Sequence, residues 1–124
     1  MKVILVDAWN TFVKNNEIDI SLHSFLDKFK NKKIILTNAN DKQLIEFGII
    51  NMPYEVFSLS NNPNKSDVNY YKTLINKFNF KIENLLYIEH NIDAVNSAKS
   101  IGIKTHHYIE SENYKMKEFI LKNI

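Results

Sequence analysis

The sequence predicts an α/β fold, a parallel sheet of about five strands with helices on both faces, in three layers. Three observations predict it. Runs of consecutive aliphatic residues recur along the chain, as in strands buried on both faces. Between them, apolar residues return at the three- and four-residue spacing of helices. The runs end in polar residues, Asp7, Thr37-Asn38 and Glu89-His90-Asn91, at the carboxyl edge where parallel sheets bind ligands.

The elements follow in order. Val3 to Val6 is the first buried strand. Leu22, Phe25, Leu26 and Phe29 give a helix with Ser21 as its expected N-cap. Ile34-Ile35-Leu36 is the second strand, and Leu44, Ile45 and Phe47 mark a short helix that Gly48 ends in a left-handed conformation. Val56-Phe57 is a brief third strand. Tyr71, Leu74, Ile75 and Phe78 lie on a helix capped by Ser66 or Asp67. Leu85 to Ile88 is the fourth strand, followed by a helix through Ile92, Val95 and Ala98 that stops at Gly102. Ile103 to Tyr108 is the fifth strand, and Ser111 opens a C-terminal helix. No repeat, low-complexity segment or linker interrupts this alternation, so residues 1–124 read as one domain.

Composition narrows the function. With 44% hydrophobic and 24% charged residues, the chain can build an ordinary packed core. A net charge of +2, with lysines spread along the chain, provides no field for nucleic acid or an anionic membrane. The absence of cysteine excludes disulfides, thiolate nucleophiles and cysteine-ligated zinc. The apolar run near the N-terminus is too short for a signal peptide or a membrane span, and a cytoplasmic setting is expected.

Four segments together resemble a known family. Val3-Ile4-Leu5-Val6-Asp7-Ala8-Trp9-Asn10-Thr11 is similar to the first motif of the haloacid dehalogenase-like hydrolase superfamily, an apolar strand followed by Asp and, four residues on, Thr. Ile34 to Asn38 resembles the second motif, a strand ending in Thr or Ser. Lys65-Ser66-Asp67, with Tyr71 after it, resembles the third, usually Lys-Pro-Asp. Leu86-Tyr87-Ile88-Glu89, with Asp93 and then Ala98 to Ile103, resembles the fourth. The resemblance runs from Val3 to about Tyr108.

It implies a Rossmann-like core and a phosphatase-type reaction on a phosphorylated substrate. Asp7 would be the nucleophile that forms an aspartyl phosphate. Thr37 and the Asn38 amide would hold phosphoryl oxygens, with Thr11 and Trp9 also at the substrate, and Lys65 would neutralise charge. Magnesium would sit among Asp7, the Trp9 carbonyl, Glu89 and Asp93.

Two residues depart from the pattern. Phosphatases of this superfamily usually carry an Asp two residues after the nucleophile as general acid and base; Trp9 stands there and transfers no proton. Glu89 stands where Asp is usual. Neither the gap from Asn10 to Asn31 nor that from Ala39 to Lys65 can house a cap domain. The resemblance is therefore to capless members, whose open sites meet large substrates or are covered by a neighbouring copy in a homo-oligomer. Besides a hydrolase, the pattern allows a catalytically weakened binding or regulatory module. A dehalogenase, in which Asp7 attacks carbon, fits less well without a cap. His90, beside the strand end, has no role in the family pattern. His106-His107 and Tyr70-Tyr71 are expected to pack rather than react.

Overall fold

A computed structural model describes the whole chain, Met1 to Ile124. The strands are β1 Val3–Asp7, β2 Val13–Lys14, β3 Glu17–Ile18, β4 Lys33–Thr37, β5 Glu55–Ser58, β6 Leu85–Glu89 and β7 Lys104–His107. The helices are α1 Ile20–Leu26, α2 Asp41–Glu46, α3 Val68–Phe78, α4 Ile92–Ser100 and α5 Asn113–Asn123. Five strands form one parallel sheet in the order β5-β4-β1-β6-β7, as expected.

Strand alternation sorts the core into two layers of side chains. Ile4, Val6, Ile35, Leu86 and Ile88 face one side and pack with Leu22, Phe25 and Leu26 of α1 and Met116 and Ile120 of α5; Leu44 of α2 packs against the same layer. Leu5, Ile34, Leu36, Leu85 and Tyr87 face the other side and meet Tyr70, Tyr71 and Leu74 of α3 and Ala98 of α4. Apolar contact on both faces explains why the inner strands β1, β4 and β6 are mostly aliphatic without a polar alternation. No helix is long and apolar enough to cross a membrane.

The register sets the site. β1 is central, with Asp7 opposite Leu36 on one side and Val6 opposite Ile88 on the other. Thr37 and Glu89 are each one residue further on, so three polar side chains leave adjacent strands at nearly the same level.

Three local features differ from expectation. The N-cap of α1 is Asp19, not Ser21: its carboxylate accepts from the Leu22 amide at 3.1 Å and pairs with Lys14 at 2.8 Å. A two-stranded hairpin, β2 with β3, precedes it. Its turn residues Asn15 and Asn16 have φ of 52° and 63°, the left-handed pair that a two-residue hairpin loop requires and that asparagine tolerates. The C-terminal helix begins at Asn113, after a 3₁₀ turn over Glu110–Glu112, rather than at Ser111. The hairpin and α1 are all that lies between β1 and β4.

Gly48 ends the α2 region with φ +72°, as the sequence indicates. It also abuts the hairpin: a Cβ there would lie 2.3 Å from the Asn16 carbonyl oxygen.

Candidate active site

Asp7 is the last residue of β1 and is 2% exposed. Its neighbours at the carboxyl edge, Thr37, Lys65 and Glu89, are buried with it. Lys65 lies in the loop before α3, where its amide donates to Asn38 Oδ1 at 2.8 Å. That contact aims the side chain inward, and Nζ bridges Asp7 Oδ1 at 2.5 Å and Glu89 Oε1 at 2.6 Å.

Every oxygen of the two carboxylates has a protein partner. The Thr11 hydroxyl donates to Asp7 Oδ2 at 2.8 Å, and His90 Nδ1 hydrogen-bonds the same oxygen. The Tyr87 hydroxyl donates to Glu89 Oε1, the Asn91 amide donates to Glu89 Oε2 at 3.0 Å, and His90 Nδ1 lies 3.4 Å from Oε2. β7 supports this arrangement: His107 Nε2 donates to the His90 carbonyl oxygen at 2.9 Å.

Thr37 is held by its backbone. Its amide donates to the Tyr70 hydroxyl at 3.1 Å, and that hydroxyl turns its own proton toward the Thr37 or Phe57 carbonyl. Thr37 Oγ1 accepts from the Ala39 amide at 3.1 Å, which leaves its O–H to donate into the site.

Charge and burial set the titration of the cluster. Burial pushes Asp7 up, as does Glu89, while Lys65 pulls it down; the outcome is upward. Burial also pushes Glu89 up, but the Lys65 charge and hydrogen bonds from His90, Lys65 and Tyr87 outweigh it and hold Glu89 below the usual range. Burial alone would lower Lys65; the two carboxylates keep it above its ordinary value. Hydrogen bonds to Asp7 and Glu89 raise His90 to about 9.

The cluster opens into a cavity of about 320 Å³. Trp9, 49% exposed, stands at the rim, stacked on Phe47 at 5.8 Å between ring centres and edge-on to His90 at 6.4 Å. Gln43, Asn61 and Asn64 add amides to the wall.

Of the residues singled out from sequence, Asp7, Trp9, Thr37, Asn38, Lys65 and Glu89 line this cavity. Thr11 does not. It is wholly buried and its hydroxyl donates to Asp7. Asp93 is not brought to the cluster either. It sits exposed in the first turn of α4, its amide bonded to the capping Asn91, and it is not among the residues that line the cavity. His90 stands beside the two carboxylates instead: ligand-capable atoms of Asp7, Glu89 and His90 lie within 4.8 Å of one another. The strand-end position of His90 was visible in the sequence. Tyr70, read as packing, and Tyr87 of β6 turn hydroxyls onto Thr37 and Glu89.

A divalent ion is tested by its donors. Asp7 and Glu89 supply hard carboxylate oxygens at the base of a polar cavity, the chemistry magnesium takes.

No protein-family model matches the sequence, and no curated protein matches it. Solved structures do match in fold. The core domain of a protein named as a phosphoglycolate phosphatase, from Streptococcus pneumoniae, is 14% identical with a TM-score of 0.59, covering 94% of this chain and 95% of its own. A HAD family enzyme from Bacteroides thetaiotaomicron is 11% identical with a TM-score of 0.67, covering 92% of this chain and 99% of its own; that structure is an aspartate-to-alanine mutant in complex with magnesium and inorganic phosphate. An uncharacterized protein from Corynebacterium glutamicum is 12% identical with a TM-score of 0.63, covering 96% and 94%.

Proposed function

We propose that this chain, whose fold is that of the haloacid dehalogenase-like phosphatases, is a magnesium-dependent phosphohydrolase acting through an aspartyl phosphate on Asp7. The observation that carries the reading is the buried Lys65 ammonium, held between Asp7 and Glu89 at the base of a polar cavity. A lone carboxylate there would be a poor nucleophile toward a phosphate dianion. Beside a fixed ammonium, the approach of two anions is balanced.

An Asp7 oxygen attacks phosphorus as the bond to the leaving-group oxygen breaks. Thr11 holds the carboxylate in orientation. The Thr37 O–H and the Asn38 amide donate to phosphoryl oxygens, and Lys65 carries the opposing charge. Water then attacks the aspartyl phosphate, releasing phosphate and restoring Asp7. Asp7, Glu89 and the Trp9 carbonyl would hold magnesium, which supplies further charge neutralisation when bound. Trp9 provides no proton for the leaving group, so turnover is expected to be slow. The open rim at Trp9 and Phe47 leaves room for a large phosphorylated substrate or a neighbouring copy of the chain.

The test is hydrolysis of p-nitrophenyl phosphate with and without magnesium. The wild type should release nitrophenol in a magnesium-dependent manner, and Asp7→Asn should abolish it. Activity that persists in Asp7→Asn would sink the reading. Trp9 at the general-acid position favours one other reading, a phosphate-binding module without turnover. That reading expects phosphate binding with no nitrophenol release.

A further inference from the structure

His90 belongs to none of the roles assigned above, yet its ring makes the closest approach to the nucleophile. The geometry around it is specific. Lys65 takes one oxygen of each carboxylate, Asp7 Oδ1 and Glu89 Oε1. The oxygens left to face a metal ion are Asp7 Oδ2 and Glu89 Oε2. His90 Nδ1 stands between those two, hydrogen-bonded to Oδ2 and 3.4 Å from Oε2. An N–H directed at these oxygens and a cation coordinated by them cannot share the space, because the metal's ligand distances of about 2.0–2.1 Å leave no room for a hydrogen atom between. The ring is not locked in: its side chain is 32% exposed, against 3% for Asp7 and none for Glu89. Its backbone is tied down by His107, so the side chain can swing toward the rim while the strand end stays in place.

We infer that His90 is an internal competitor for the metal site: its ring fills the divalent-cation position between Asp7 and Glu89, and a metal ion enters only when the ring swings out. The inference rests on the proposed magnesium site. The ring would keep the two carboxylates partnered in the metal-free protein. It would also set the concentration of cation at which the site converts to its metal-bound form. It makes His90 a residue that tunes metal affinity, not a metal ligand.

The experiment is calorimetric titration of the full chain with magnesium chloride alone, in wild type and His90→Ala. His90→Ala should bind roughly ten- to a hundred-fold more tightly, the factor that a hydrogen bond to a charged group represents. Equal affinities would overturn the competition while leaving the metal site intact. Weaker binding by His90→Ala would also overturn it, by making His90 a ligand. No binding by either protein would remove the metal site itself, and the competition with it. If His90→Ala does not fold, the wild type alone still decides. At saturating magnesium, the ring ¹⁵N resonance of His90 should move to that of a nitrogen no longer bonded to a carboxylate. A resonance that stays put while magnesium binds overturns the proposal.

Discussion

Tyr87 and Glu89, two residues apart on β6, project to the same side of the strand, and the Tyr87 hydroxyl donates to Glu89 Oε1 at 2.5 Å. Behind it the Tyr71 hydroxyl lies 3.4 Å from that of Tyr87 and 3.3 Å from the Ala94 carbonyl oxygen. A buried carboxylate is thereby supported from the core as well as from Lys65. Tyr87→Phe keeps the ring and removes one donor. Loss of a hydrogen bond to a buried charge costs about 1.5–3 kcal/mol, so urea denaturation should show a destabilisation of that size. A midpoint unchanged from wild type would mean that the hydroxyl does not support Glu89.

Asp19 gives the fold a dependence on acid. Burial pushes its carboxyl up, but the hydrogen bond from Lys14 and the Leu22 amide prevail and hold it below the ordinary value. A carboxyl depressed in the folded state contributes stability above its unfolded pKa of about 3.9, and that contribution disappears as pH falls through the folded value. Asp19→Asn keeps the helix cap and deletes the charge. It should cost less than about 1 kcal/mol at neutral pH. The gap between the two proteins should close as pH drops below about 4. Urea midpoints at pH 7, 5 and 3 provide the check, and a gap that widens with acid would contradict the assignment.

The two glycines are predicted to respond unequally to alanine. Both have positive φ, +72° at Gly48 and +98° at Gly102, so each change strains the backbone. A left-handed conformation costs an L-residue about 1–2 kcal/mol. At Gly102 the new Cβ would meet only the Ile82 side chain, at 3.4 Å. At Gly48 it would strike the Asn16 carbonyl oxygen at 2.3 Å, which forces the hairpin and the α2 loop apart. Gly48→Ala should therefore lower the melting temperature clearly more than Gly102→Ala, and equal shifts would show that the hairpin yields freely.

The chemistry of the rim predicts a substrate preference. Without a proton from Trp9, an aryl leaving group departs readily and an alkyl alcohol does not. Trp9→Asp should raise turnover on alkyl phosphates by up to the ~10²–10⁴ of a positioned acid or base. The gain shrinks if the new carboxylate is misplaced. Equal wild-type rates on aryl and alkyl phosphates would place the proton elsewhere, with His90 the first residue to replace.

What could be read from the sequence were the features that repeat or punctuate. The aliphatic runs and the residues ending them located Asp7, Thr37 and Glu89, because a parallel sheet brings strand ends to one level. Lys65 was found by motif order. The hairpin was not read, since its strands are two residues each and carry no periodicity; the adjacent Asn15-Asn16 was the available signal. Asp93 lies outside the cavity wall, and its distance along the chain from Glu89 does not tell which residues of the first turn of α4 reach the strand ends. The bond from the Thr11 hydroxyl to Asp7 was not read, because sequence gives spacing but not which group a hydroxyl satisfies. The part of His90 depends on side-chain direction at one loop residue, which no pattern encodes.

The central position of β1 has a consequence for how the chain is made. Its partners arrive at very different times during synthesis: β4 follows after about a hairpin and a helix, while β6 is encoded past the middle of the chain. Asp7 meets Lys65 across 58 positions and His90 across 83. Until β6 leaves the ribosome, one side of β1 is an unpaired aliphatic edge of the kind that templates aggregation. At about 5–20 residues per second, that interval lasts several seconds. The Asp7 carboxylate thus spends its first moments at the end of an open strand, beyond the reach of Lys65 and His90.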